Sequence, residues 1–159
     1  MILRNRNINT TADEVRLHVA YGGPDVRRFA RILVRLFGGI SSSPHGVFVE
    51  DSPRKVSADD ELEAIYYLRH NKFSEEDVRY SLERHPLIFQ NYETKWREQL
   101  SRWAFVQLLK LGYLTPTATD ENVFQFSRSA LRLVFSDERL NTPYAPARDG
   151  ERYFSENNG

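Results

Sequence analysis

The chain has no cysteine. That one absence excludes disulfides, thiol nucleophiles and cysteine-ligated zinc together, and it suits a reducing compartment. Net charge is missing as well. Twenty-two Lys and Arg balance 22 Asp and Glu, which argues against a histone-like polyanion binder but leaves local patches open. No apolar run approaches the roughly 20 residues of a spanning helix. The start, MILRNRNINTT, lacks the apolar stretch of a secretory signal. A cytoplasmic protein with no membrane partner is therefore expected. The four histidines, His18, His45, His70 and His85, show no metal-ligand spacing. Neither a Rossmann nor a Walker glycine pattern is present, and no GxSxG elbow exists. No metal and no cofactor are expected.

What is there fits a folded protein. At 159 residues, the chain can form one domain with a real core or two small ones. Its 40% hydrophobic and 28% charged residues are ordinary for a globular protein. The charge is uneven along the chain. Up to Ser57 there are nine Lys or Arg against five Asp or Glu; beyond it there are thirteen against seventeen. A modestly basic first part thus joins a modestly acidic second part.

The most patterned stretch is 92–135. Trp96, Leu100, Trp103, Ala104, Leu108 and Leu111 recur at three- and four-residue steps, so they share one side of a helix. Gly112 stands where that helix should stop. Two short strands are predicted at 113–115 and 122–126, joined by a polar loop, and a further helical run begins at Ser129. Before this stretch, Ser57 caps a predicted helix whose first turn holds Asp59, Asp60 and Glu61. Leu62, Ile65, Tyr66 and Leu68 are its inward residues. Ser74-Glu75-Glu76-Asp77 restarts a helix with a capping-box pattern, and Pro86 ends it. Leu87, Ile88 and Phe89 form an apolar plug in the following link. Helices, a buried long helix and a β-hairpin in this order have the layout of a winged helix-turn-helix. The likeness is one of architecture, and the same shape binds DNA in some proteins and other proteins in many.

The N-terminal part reads differently. Residues 14–21 alternate, with Val15, Leu17, Val19 and Tyr21 on one face, as a half-buried strand does. A Gly22-Gly23 turn, a helix from about Pro24 to Phe37 stopped by Gly38-Gly39, and a short strand at 47–50 follow. Val26, Phe29, Ala30, Leu33 and Phe37 are its expected buried residues. The tail at 141–159 is polar, holds two prolines, and has Tyr144 and the Tyr153-Phe154 pair to dock on the body. The expected fold class is α+β, mostly helical. It divides into a small strand-helix-strand unit at 1–57 packed on the rest, a winged-helix-like domain at 58–140, and a loosely ordered tail at 141–159.

Three constellations bear on function. Arg27, Arg31 and Arg35 are four apart, with Arg28 beside them, and form one cationic side of the first helix. Guanidinium forks suit phosphate and carboxylate oxygens, so these side chains are a nucleic-acid or acidic-partner surface or a solvated face. Lys95, Arg97 and Arg102 add cations on the long helix, where a DNA-reading winged helix would meet base edges. Against that, Glu93 and Glu98 would face phosphates. The loop at 115–122 holds Asp120 and Glu121 and no cation. Tyr92 and Trp96, near the helix start, are candidate aromatic anchors for a protein partner. His45 follows three serines, Ser41, Ser42 and Ser43, but nearness in sequence does not make a catalytic pair. The Gly22-Gly23 turn reads as a tight turn before it reads as a phosphate cradle.

The leading expectation is a non-catalytic binding protein: a winged-helix-like adaptor or regulator docking a protein partner within or beside a nucleic-acid-handling assembly. Direct DNA or RNA binding through the basic stripe is the alternative. An enzyme with an unidentified site is the weaker third.

Overall fold

The computed structural model describes residues 25–40, 56–89, 92–118 and 122–146. They form six helices and three short strands in a mostly helical α+β arrangement: α1 (Val26–Phe37), α2 (Ala58–His70), β1 (Phe73–Ser74), α3 (Glu75–Arg84), α4 (Thr94–Lys110), β2 (Leu114–Pro116), β3 (Val123–Phe126), α5 (Arg128–Leu131) and α6 (Asp137–Asn141). The strands expected at 14–21 and 47–50, the Gly22-Gly23 turn, the serine–histidine loop at 41–45, the loop acids Asp120 and Glu121, and the tail from 147 onward lie outside the described residues.

The helix starts follow from local chemistry. Ser57 accepts a hydrogen bond from the Asp60 amide at 3.1 Å, and Ser74 from the Asp77 amide at 3.1 Å. Each satisfies one of the amides that a helix leaves without an internal partner. Ser127 and Ser136 cap α5 and α6 in the same way, and Asp25 caps α1 by accepting from the Arg28 amide. The ends of α1 and α4 share one device. Ile40 N donates to Arg35 O and Gly39 N to Leu36 O; Tyr113 N donates to Leu108 O and Gly112 N to Leu109 O. This double closure needs a left-handed residue just past the helix, supplied by Gly39 at φ 73° and Gly112 at φ 80°.

The longest helix, α4, is buried through Leu100, Ser101, Trp103, Ala104, Phe105 and Leu108. That set covers a broad arc, so no single neighbour can bury it. The most extensive packing is between α3 and α4; α1 and the β2 end of the hairpin cover other sides. Val78 and Leu82 come from α3, and Phe29, Ala30 and Leu33 from α1. All of these belong to one hydrophobic core, so α1 is built into the same core as the later helices. Phe89 of the apolar plug is fully buried and meets Phe29 edge-on at 5.2 Å.

The sheet is small and antiparallel, in the order β1-β3-β2. Leu114 pairs with Phe126 and Pro116 with Phe124 in the hairpin, and Phe73 pairs with Phe124 on the other edge. The hairpin matches the two predicted strands to within a residue. Strand β1 is not predicted: two residues after Asn71-Lys72 give no alternation to read. Its role is structural, because Phe73 joins Phe37 and Phe126 in an aromatic cluster with centroids 4.9–5.8 Å apart. Helix α6 also lies beyond the clear pattern. It packs on α2, where Arg139 Nε meets Glu61 Oε1 at 2.8 Å and Leu140 is buried.

Leu108 sits on α4 with no exposed surface. Its replacement by Ala is expected to cost about 2–5 kcal/mol, the range for deleting a buried leucine side chain. A urea-denaturation midpoint within error of the parent chain would show that α4 is not the centre of the core.

Candidate functional site

The four arginines of α1 do share one side of the helix, opposite the buried Phe29, Ala30 and Leu33, but only Arg27 is exposed. Arg28, Arg31 and Arg35 are half-buried and engaged in interactions within the protein. The burying arc is wider than apolar spacing suggests, since Ile32 and Val34 are also buried while Phe37 is only partly so. Neighbouring elements therefore overlap the cationic side. Arg28 shows the consequence: its Nη1 donates to Leu87 O at 2.9 Å.

The cations of α4 divide in a similar way. Lys95 and Arg102 are exposed. Arg97 is half-buried, and its Nε donates to Tyr92 O at 2.7 Å. Arg28 and Arg97 thus hold the carbonyls of Leu87 and Tyr92, two residues between α3 and α4 that lie outside any helix or strand. His85 supports the same segment. Its Nδ1 lies 3.1 Å from Leu87 N, so that nitrogen carries a lone pair and accepts.

Of the two proposed aromatic anchors, Tyr92 is a core residue. It is 6% exposed and packs edge-on to Phe89 at 5.8 Å, so its ring is not offered to a partner. Tyr92 N donates to Phe89 O at 3.1 Å just before α4 begins, a closure that apolar spacing within α4 does not reveal. Trp96 is half-buried, with Lys95 Nζ 5.7 Å from its ring centroid.

A different surface stands out on α3. Glu75, Arg79 and Glu83 are four apart, and Glu76 and Tyr80 are four apart beside them, so all five face outward together. With Glu98 of α4 and Asn122 just before β3, they line a cleft of about 480 Å³. Arg79 Nη1 is paired with Glu75 Oε2 at 3.2 Å, which leaves the lining acidic. Favourable placement at a helix start accounts for Glu75 and Glu76. It does not account for Glu83, near the end of α3, or for Glu98, well inside α4. Tyr80 is 58% exposed, and the Arg84 guanidinium lies 4.7 Å from its ring centroid. Sequence reading assigned the acids of α3 to its first turn and missed this cleft. The signal was the four-residue repeat from Glu75 to Glu83. Val106, 38% exposed, adds apolar surface on the same side of α4 as Arg102, and Leu111, at the C-cap, is 56% exposed.

Among the described residues no helix is long and apolar enough to cross a membrane. Arg28→Met keeps an unbranched stem but removes the donor to Leu87 O. It is expected to cost about 1–3 kcal/mol, as for a part-buried acceptor left unsatisfied, read from the denaturation midpoint. A midpoint unchanged by this substitution would free Arg28 for a purely external role. Comparison with known protein families, with curated proteins and with solved structures finds no match for the chain.

Proposed function

We propose that the chain is a winged-helix-type adaptor that docks a protein partner through the outward face of α3 and α4. The architectural support is the connectivity. Helix α2, strand β1, helices α3 and α4, and the β2–β3 hairpin follow one another in winged-helix order, and β1 pairs beside β3 rather than beside β2.

The observation that carries the functional reading is the charge of the α3–α4 face. In a duplex-reading winged helix, this face meets phosphates and needs cations. Here Glu75, Glu76, Glu83 and Glu98 line it, and Arg79 is tied to Glu75. Laying a polyanion there would set carboxylates against phosphates. A protein with a basic contact surface is the complementary partner. Tyr80, with its long exposed ring, is the anchor such a surface would close over.

Two measurements test this. The full chain, immobilised, should retain specific proteins from the source cell after nuclease treatment, and a Glu83→Lys/Glu98→Lys variant that keeps the parent helicity should lose them. In parallel, fluorescence anisotropy with a labelled duplex at physiological salt should show no saturable binding. Nanomolar duplex affinity, with a log–log salt slope of about −3 to −4 that Arg27→Ala and Arg102→Ala flatten, would overturn the adaptor reading in favour of direct nucleic-acid binding.

A further inference from the structure

A second concave feature lies away from the α3–α4 face. Between α2 and the segment of α6 and Tyr144 is a cleft of about 280 Å³. Its floor is aliphatic, formed by Leu62, Ile65 and Leu140. Tyr66 and His70, which also line it, stack on each other with ring centroids 3.9 Å apart and planes 21° from parallel. They are four residues apart on α2, so helix geometry maintains the stack. Tyr144 stands edge-on to Tyr66 at 6.3 Å and bounds the cleft on another side.

Two guanidinium groups line the same cleft, and each is positioned by one internal bond. Arg69 Nη2 donates to Leu140 O at 3.1 Å, and Arg139 Nε donates to Glu61 Oε1 at 2.8 Å. Both keep further N–H donors with no partner among the described residues. None of the residues lining the cleft is Asp or Glu; the acid bonded to this set is Glu61, and it offsets Arg139 alone.

The carbonyl end of α2 would ordinarily repel an anion here. Three of the carbonyls at that end already have side-chain partners. His70 Nδ1 lies 2.9 Å from Tyr66 O, Asn71 Nδ2 donates to Tyr67 O at 2.9 Å, and Gln125 Nε2 donates to Arg69 O at 3.0 Å. Because a carbonyl only accepts, His70 Nδ1 carries the proton, and its Nε2 is left for the cleft side or solvent.

Aliphatic side chains, a pair of stacked aromatic rings and two guanidinium forks lining one cleft are the parts of a small-ligand site. We infer that this cleft binds a small planar carboxylate, its ring beside the stacked Tyr66–His70 pair and its carboxylate on the open donors of Arg69 and Arg139. The fork of a guanidinium matches two carboxylate oxygens at once, which a flexible ammonium does not. The volume lies just below the usual range for ligand pockets, about 300–1,000 Å³, and limits the ligand to a single ring.

The test is an amide-resolved NMR titration of the full chain with benzoate as the probe. Acetate supplies the anion without the ring, benzamide the ring without the charge, and inorganic phosphate an anion of different shape. Benzoate should give saturable shifts confined to the amides of residues 62–70 and 139–144, with each of the other three weaker by about tenfold or more. Arg69→Gln should weaken benzoate by about tenfold, the loss of one charge-assisted contact. Since Arg69 also holds Leu140 O, His70→Ala serves as the second variant: His70 is exposed and outside the hydrophobic core, and benzoate should weaken there too. Non-saturating benzoate shifts, equal binding of phosphate or benzamide, or unchanged affinity in His70→Ala would overturn the inference.

Discussion

One helix dictates the rest of this structure. Helix α4 has too wide an apolar arc to sit on the surface of anything. Leu100, Trp103, Ala104, Phe105 and Leu108 face several directions at once, and leaving any of them in water forfeits about 1.5–3 kcal/mol for a large apolar side chain. Covering them takes α3 on one side, the hairpin at the C-terminal end and α1 from far upstream in the chain. The hairpin is led to its place by the left-handed Gly112, which turns the chain from the helix into β2. The short strand β1 then follows from the hairpin, since Phe124 and Phe126 present an apolar edge that Phe73 closes. Helix α1 is recruited so closely that Gly38 leaves no room for a side chain. A Cβ there would stand 2.9 Å from Val34 O and 3.1 Å from Leu68 Cδ1 of α2.

Much of this was legible because it depends on neighbours in sequence. The α4 spacing, the serine caps of α2 and α3, and the glycine stops of α1 and α4 all involve residues within one or two turns. The unread parts depend on distant elements. Strand β1 exists only because β3 lies beside it. Helix α6 is held by Glu61 and Arg69, more than seventy residues earlier. Tyr92 looked like surface because it precedes the helix, yet Phe89 covers it. The arginine side of α1 illustrates the boundary between the two cases. Four-residue spacing correctly places Arg27, Arg31 and Arg35 on one side of their own helix. It carries no information on how far other elements reach over that side, and two of the three are half-buried.

The candidate docking face was hidden by a sound local explanation. Acids in the first turn of a helix stabilise it, so Glu75 and Glu76 needed no further reason. Only the packed structure shows that Glu83 and Glu98, from two helices, open into the same cleft. A net charge of zero over the chain conceals this separation.

The cations raise the same issue from the other side. Eighteen of the 22 basic residues are Arg and four are Lys, a balance that invites a phosphate-binding interpretation. Yet Arg28, Arg69 and Arg97 each donate to a backbone carbonyl where helices give way to irregular chain, and Arg139 donates to Glu61. Such carbonyls have no ladder partner and must be satisfied by something. A planar fork does this with less loss of freedom per bond than an ammonium on a flexible stem. Each such bond uses one of the five N–H groups of a guanidinium and fixes where the others can point, so these arginines are less free than exposed ones to follow a phosphate backbone. The cation count relevant to a polyanion is therefore smaller than the sequence implies. On the described surface, the exposed cations of α1 and α4 are Arg27 on the first helix and Lys95, Arg102 and Lys110 on the second, where Glu98 is exposed as well. That arrangement gives a mosaic of charge, which suits discrimination between protein surfaces better than attraction of a uniformly charged duplex.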